Sequence, residues 1–139
     1  LFRRFQRVFD DYDIVIAPTT PVTPFPWTEL YLRELEGQTL RNYYHWLNLC
    51  YFITLVTSPA MVLPTGTDLN GMPFGLQVVG PFRGDAALMN TAQAMETAFA
   101  GIDGLARPRP DIGKLAEPQL ELKSIVTDPP TGPHEAAGS

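Results

Sequence analysis

The chain has 139 residues, 45% of them hydrophobic and 18% charged, with a net charge of −5. That length and composition suit one globular domain and exclude wholesale disorder and a long coiled coil. The acidic balance leaves no basic field for a phosphate backbone, so nucleic-acid binding is not expected, and no apolar run approaches the ~20 residues of a membrane span.

Phe2, Phe5, Val8, Phe9 and Tyr12 recur at steps of three and four, with Arg3, Arg4 and Arg7 between them. This spacing predicts an amphipathic helix, and Asp10 and Asp11 oppose the helix dipole where it should end. Asp13 to Ala17 is short, β-branched and apolar on both faces, the pattern of a strand in the middle of a sheet. Pro18, Pro21, Pro24 and Pro26 then force the chain away from the sheet as a stiff loop. A short helix is expected around Leu30 to Leu35. Leu40, Tyr43, Tyr44, Leu47, Tyr51 and Leu55 fit a second helical stripe, which must end before Pro59.

Ala60 to Pro64 reads as a strand, Thr65 to Gly71 as a turn marked by Asn70-Gly71, and Pro73 to Gly80 as a third strand. Asp85 is the expected N-cap of a helix whose buried face is Leu88, Thr91, Ala92, Met95, Ala98 and Phe99, with Gly101 as its stop. Residues 1–106 form the expected domain. Residues 107–139 hold six prolines and read as a Pro-rich C-terminal tail, with Leu120, Leu122, Ile125 and Val126 its one apolar cluster. Three strands with flanking helices give an α/β fold class, a slice of a mixed sheet flanked by helices. The unpaired edges of such a slice predict self-association, as a homo-oligomer, or pairing with a missing half.

Little in this sequence performs chemistry unaided. His45, His134 and Cys50 stand at no ligand spacing, so neither a metal nor a cofactor is expected. Cys50 reads as a small core residue and His45 as a helix residue among aromatics. Ser58, Ser124 and Ser139 lie in no nucleophile elbow, and both lysines, Lys114 and Lys123, fall in the tail, where burial to lower a pKa is not expected. No catalytic residue is assigned. Thr19 and Thr20, hydroxyls at a strand end, are candidate pocket-wall residues.

Three segments carry a resemblance. Asp13-Ile14-Val15-Ile16-Ala17-Pro18-Thr19-Thr20-Pro21 is followed by Thr57-Ser58-Pro59-Ala60-Met61-Val62-Leu63-Pro64-Thr65-Gly66, and then by Gly71-Met72-Pro73-Phe74-Gly75-Leu76-Gln77-Val78-Val79-Gly80. In this order, and with the helix after Asp85, they resemble the C-terminal part of the amidase signature family over about residues 1–101. The resemblance implies the central sheet of an amide hydrolase whose Ser–cis-Ser–Lys triad lies upstream. It implies a chain inactive alone that supplies sheet strands and part of a substrate pocket. Its partners would be the missing N-terminal part and a small-molecule amide, in the cytoplasm. Pocket-wall candidates are Thr19, Thr20, Phe25, Trp27 and Thr54. Thr57 stands where the family pattern has glycine. The family's glutamine-using amidotransferases carry an acid in the helix before Pro59, whereas this chain has no Asp or Glu between Glu36 and Asp68. The aromatics Tyr43, Tyr44, Trp46, Tyr51 and Phe52 therefore suit an apolar or aryl amide. The alternative is a stand-alone interaction module, an amidase remnant that binds a partner through strand edges and its Pro-rich tail.

Overall fold

The computed structural model describes residues 1–26 and 29–117. In chain order these form α1 (Phe2–Gln6), a 3₁₀ turn (Arg7–Asp10), β1 (Val15–Pro18), β2 (Glu34–Leu35), β3 (Gln38–Thr39), a second 3₁₀ turn (Tyr43–Leu47), α2 (Asn48–Leu55), β4 (Ala60–Thr67), β5 (Pro73–Val79), α3 (Asp85–Phe99) and α4 (Ile112–Leu115). The chain divides into two units, Leu1–Pro108 and Arg109–Ser139. Of the second, residues 109–117 are described. There Asp111 caps α4 by accepting from the Gly113 and Lys114 N–H groups, a helical turn where the sequence predicts only irregular tail. The cluster Leu120, Leu122, Ile125 and Val126 lies outside the described residues.

The main sheet has the order β1-β5-β4, and both pairings are antiparallel. Val78 is opposed by Ile16 on one side and Met61 on the other. Side chains alternate between faces, so these three share a face with Leu63. That face is covered by α3: Leu63, Val78, Leu88 and Ala92 form the buried cluster, with Ile14, Met61, Met95 and Phe99 packed against it. Gly80 lets α3 approach, since a Cβ there would stand 3.3 Å from the Leu88 Cβ. The α/β class with helices flanking the sheet is the one the sequence implies.

Four local expectations are corrected. First, among the described residues β1 is an edge strand, not a middle one, and Ile16 is 49% exposed. A β-branched run shows apolarity on both faces but not which neighbours the chain supplies. Second, Leu30 to Leu35 is not a helix. Glu34–Leu35 pairs with Gln38–Thr39, joined by Glu36 and Gly37 at φ 49° and 78°. Two successive residues with positive φ make the tight hairpin turn that favours glycine in second place. Third, the second helical stripe is displaced. Tyr43, Tyr44, Tyr51 and Leu55 are exposed, while Ile53 and Val56 are buried and Trp46, Leu49 and Cys50 half-buried. His45 is exposed as well. Apolar residues surround this segment, so periodicity alone selects no face. Fourth, Asp85 is the first residue of α3, and Gly84 occupies the cap without a side-chain bond. There Asp85 complements the helix dipole instead of capping it. Within α3, Ala98 is exposed and lies off the buried face.

Thr57 follows the C-cap of α2 with φ 49°. This is the left-handed position that ends many helices and favours glycine. A β-branched residue there is strained, which explains why a glycine stands there in the pattern this segment resembles. Thr57→Gly is expected to raise stability by about 1 kcal/mol, the relieved strain of about 1–3 kcal/mol less the added freedom of the unfolded chain. Urea unfolding checks it, and an unchanged or lower midpoint would show that the Thr57 side chain contributes more than its backbone costs.

Candidate functional site

The β1–β5 register fixes where a site can form. Pro18 is opposed by Leu76, and the Thr19 N–H donates to the Gly75 carbonyl at 3.0 Å, one step beyond the strand. Because the strands are antiparallel, the loop leaving β1 lies beside the start of β5 and the hairpin end that precedes it. Gly75 makes this approach possible: a Cβ there would stand 2.8 Å from Thr19 Oγ1 and 3.1 Å from Val62 Cγ1.

Beyond Thr19 the loop is shaped by its prolines and by Thr20, whose hydroxyl donates to the Val22 carbonyl at 3.0 Å. Such a hydroxyl-to-backbone bond stabilises a local turn. Phe25 then meets Trp46 edge to face, at 5.2 Å between ring centroids. Trp46 meets Tyr43 at 6.0 Å, and Tyr43 meets Tyr31 at 6.2 Å. These edge-to-face contacts tie the loop to the segment before α2. The far wall is the β4–β5 hairpin. Its Asp68 Oδ1 accepts from the Asn70 and Met72 N–H groups at 2.8 and 2.9 Å, and the Gly71 N–H donates to the Asp68 carbonyl.

Between the walls lies a concavity of about 460 Å³, lined by the loop prolines with Thr20, Phe25, Trp46, Asp68, Phe74 and neighbouring residues. That volume falls in the range of small-molecule sites. Of the residues named from the sequence, Thr20 and Phe25 come together here. Thr19 stands behind the wall, its hydroxyl buried without a partner among the described residues and its carbonyl accepting from the Cys50 thiol at 2.9 Å. Thr54 is exposed on α2 and outside the lining. Trp27 lies outside the described residues. Sequence reasoning missed Asp68 and Phe74 as wall residues and took Trp46 only as one aromatic of a rich stretch. Their approach follows from strand register, which no local pattern encodes.

Groups for covalent chemistry do not converge here. Ser58 Oγ accepts from Gln6 Nε2 at 2.8 Å and lies outside the concavity's lining. Among the described residues no group of three His, Cys, Asp or Glu side chains could hold a metal ion, and no helix is long and apolar enough to cross a membrane. The arrangement can bind and orient a small molecule, and among the described residues its lining holds no serine, cysteine or lysine.

Comparison with known proteins matches residues 1–89 to the family model described as Amidase. A glutamyl-tRNA(Gln) amidotransferase chain of Halothermothrix orenii is 36% identical over 99 residues, covering 68% of this chain and 18% of that protein. The acylamidase of Rhodococcus erythropolis is 34% identical over 88 residues, covering 63% of this chain and 18% of its own length. The chain thus spans about 18% of the length of these curated relatives. The crystal structure of the corresponding glutamyl-tRNA(Gln) amidotransferase chain from Thermotoga maritima superimposes with a TM-score of 0.57 at 25% identity, over 79% of this chain and 23% of that one.

Proposed function

We propose, from the premise that this chain belongs to the amidase family, that it supplies sheet strands and one wall of a substrate pocket to an amide hydrolase whose nucleophile lies in the N-terminal part of the same enzyme. The observation that carries this reading is the loop-walled concavity at the end of β1, whose described lining holds no serine or lysine. In the assembled enzyme the Ser–cis-Ser–Lys triad would come from upstream sequence. Its serine attacks the amide carbonyl while the cis-peptide serine and neutral lysine pass the proton to the leaving amine. The role of this chain is positional. Proline-stiffened walls lose little entropy when substrate binds, and the Phe25 and Trp46 rings offer apolar surface to the substrate's side chain. Thr20 is part of the proposed wall, and Thr19 supports it from behind.

The outer edges of β1 and β4 have no strand partner among the described residues, which supports pairing with the rest of a larger sheet or with a second copy. The same edges favour the second reading, an interaction module without enzymatic function.

The test is reconstitution. The 139-residue chain alone is expected to hydrolyse neither aryl nor aliphatic amides, and activity blocked by a serine-directed covalent inhibitor should appear when it joins the triad-bearing polypeptide. In that assembly Phe25→Ala should lower kcat/KM for a bulky aryl amide about tenfold relative to a small aliphatic one, the scale of losing apolar contacts in a pocket. Turnover by the chain alone would overturn the division of labour. An assembly without hydrolysis would leave the interaction module as the reading.

A further inference from the structure

The concavity has an asymmetric charge. Among the described residues Asp68 is its sole ionisable lining residue, and the remainder of that lining is proline, aromatic, small or neutral, with no Lys or Arg. Three aromatic residues, Phe25, Trp46 and Phe74, share that lining with Asp68. The Asp68 carboxylate is also fixed. Its Oδ1 is held by two backbone N–H groups of its own turn, so the group stands in place without a ligand to order it. A ring face attracts a cation within about 6 Å of its centroid, and low-dielectric walls concentrate the field of a single carboxylate. A neutral apolar ligand would use the rings and leave the carboxylate desolvated for nothing. An anion would be repelled.

We propose that this concavity binds an organic ammonium ion, with Asp68 as counter-ion and Phe25, Trp46 and Phe74 as the aromatic surround. The substrate class this implies is an amide bearing a cationic amino or alkylammonium group. This revises the expectation of a purely apolar or aryl amide, which rested on the acid-free stretch between Glu36 and Asp68. The fold brings Asp68, the residue that ends that stretch, onto the pocket wall. The inference rests on the reading of this concavity as a substrate wall for the identity of its ligand as substrate, but the binding itself can be measured directly.

The experiment uses the full 139-residue chain carrying Trp27→Phe, so that Trp46 is the one indole reporting. Choline is titrated against its neutral carbon isostere, 3,3-dimethylbutan-1-ol, with Trp46 fluorescence and the indole N–H resonance as readouts. Choline should bind saturably and about fivefold or more tightly than the isostere, the scale of a cation–aromatic contact plus one partly screened charge pair. Asp68→Asn keeps an oxygen for the turn N–H groups and removes the charge, so it should abolish the preference while leaving isostere binding unchanged. Asp68→Glu should retain it. Salt at about 1 M, where the Debye length is about 3 Å, should shrink it. Equal binding of the two probes, a preference that survives Asp68→Asn, or no saturable response to choline would each overturn the proposal. Failure of choline binding with hydrolysis intact in the assembled enzyme overturns the ammonium site alone. Choline binding by an assembly that hydrolyses nothing overturns the hydrolase reading alone.

Discussion

Gly66→Ala is expected to lower stability by about 3 kcal/mol or more, the sum of a left-handed backbone penalty of about 1–2 kcal/mol and the displacement of a neighbouring segment. Gly66 has φ 53°, inside the irregularity that β4 carries between Pro64 and Thr67. A Cβ there would overlap the Gly104 carbonyl oxygen and press on its carbon at 3.1 Å, both backbone atoms that cannot swing aside. Moving the residue would also strain the bond from the Gly66 N–H to the Ala106 carbonyl, 3.2 Å. Gly104→Ala is the matched control. Its φ is 78°, but an added Cβ there meets nothing within 4 Å, so only the conformational penalty of about 1 kcal/mol applies. Urea midpoints of the two variants should therefore separate widely. Equal, small losses would mean that the segment after α3 leaves β4 without consequence.

Gln77→Met is expected to act in the opposite sense and raise the stability of the isolated chain by about 1–2 kcal/mol. Gln77 is central in β5, opposed by Ala17 and Val62. It is only 6% exposed, and its Nε2 has no hydrogen-bond partner among the described residues. A buried donor left unpaired costs about 1–3 kcal/mol, and methionine fills nearly the same volume without one. Thermal unfolding measures the change. A loss of more than about 1 kcal/mol, the net worth of one made bond, would show that the amide is satisfied in solution. Its neighbour Val62 is 51% exposed on the same face, so this stretch of sheet is open to further polypeptide.

What could be read from the sequence follows the range of the forces involved. The strands at Ala60 and Pro73, the Asn70-Gly71 turn between them and the α3 stripe of Leu88, Ala92, Met95 and Phe99 were legible, because periodicity and turn chemistry act within a few residues, although β4 runs on through Thr67 where the turn was expected to begin at Thr65. The Glu36-Gly37 hairpin was equally local, yet it was missed because Leu30 to Leu35 offers enough apolar residues to imitate a helix. The buried face of α2 was not legible, since its apolar residues run all the way around and tertiary packing makes the choice. The candidate site was legible on one wall only. Thr20 and Phe25 follow a recognisable strand and proline loop. Asp68, Trp46 and Phe74 reach them through contacts between segments far apart in the chain, above all the antiparallel register of β1 on β5.

The side chain of Gln6 receives the Phe82 N–H at its Oε1, at 2.9 Å, and donates from its Nε2 to Ser58 Oγ at 2.8 Å. One amide thus closes two circuits of chain, spanning 76 and 52 residues. Beside these two partners the Gly80 N–H donates to the Pro59 carbonyl at 3.0 Å, so Gln6 ties α1 to the chain entering β4 and the chain leaving β5. α1 buries no residue of its own, and Gln6 acts with the edge-to-face contacts of Phe2 on Phe82 and Phe5 on Phe52 to keep the first turn of the chain seated. The Phe82 N–H, three residues beyond the end of β5, is therefore the place to read the detachment of α1, since its proton is expected to exchange with solvent when Gln6 lets go.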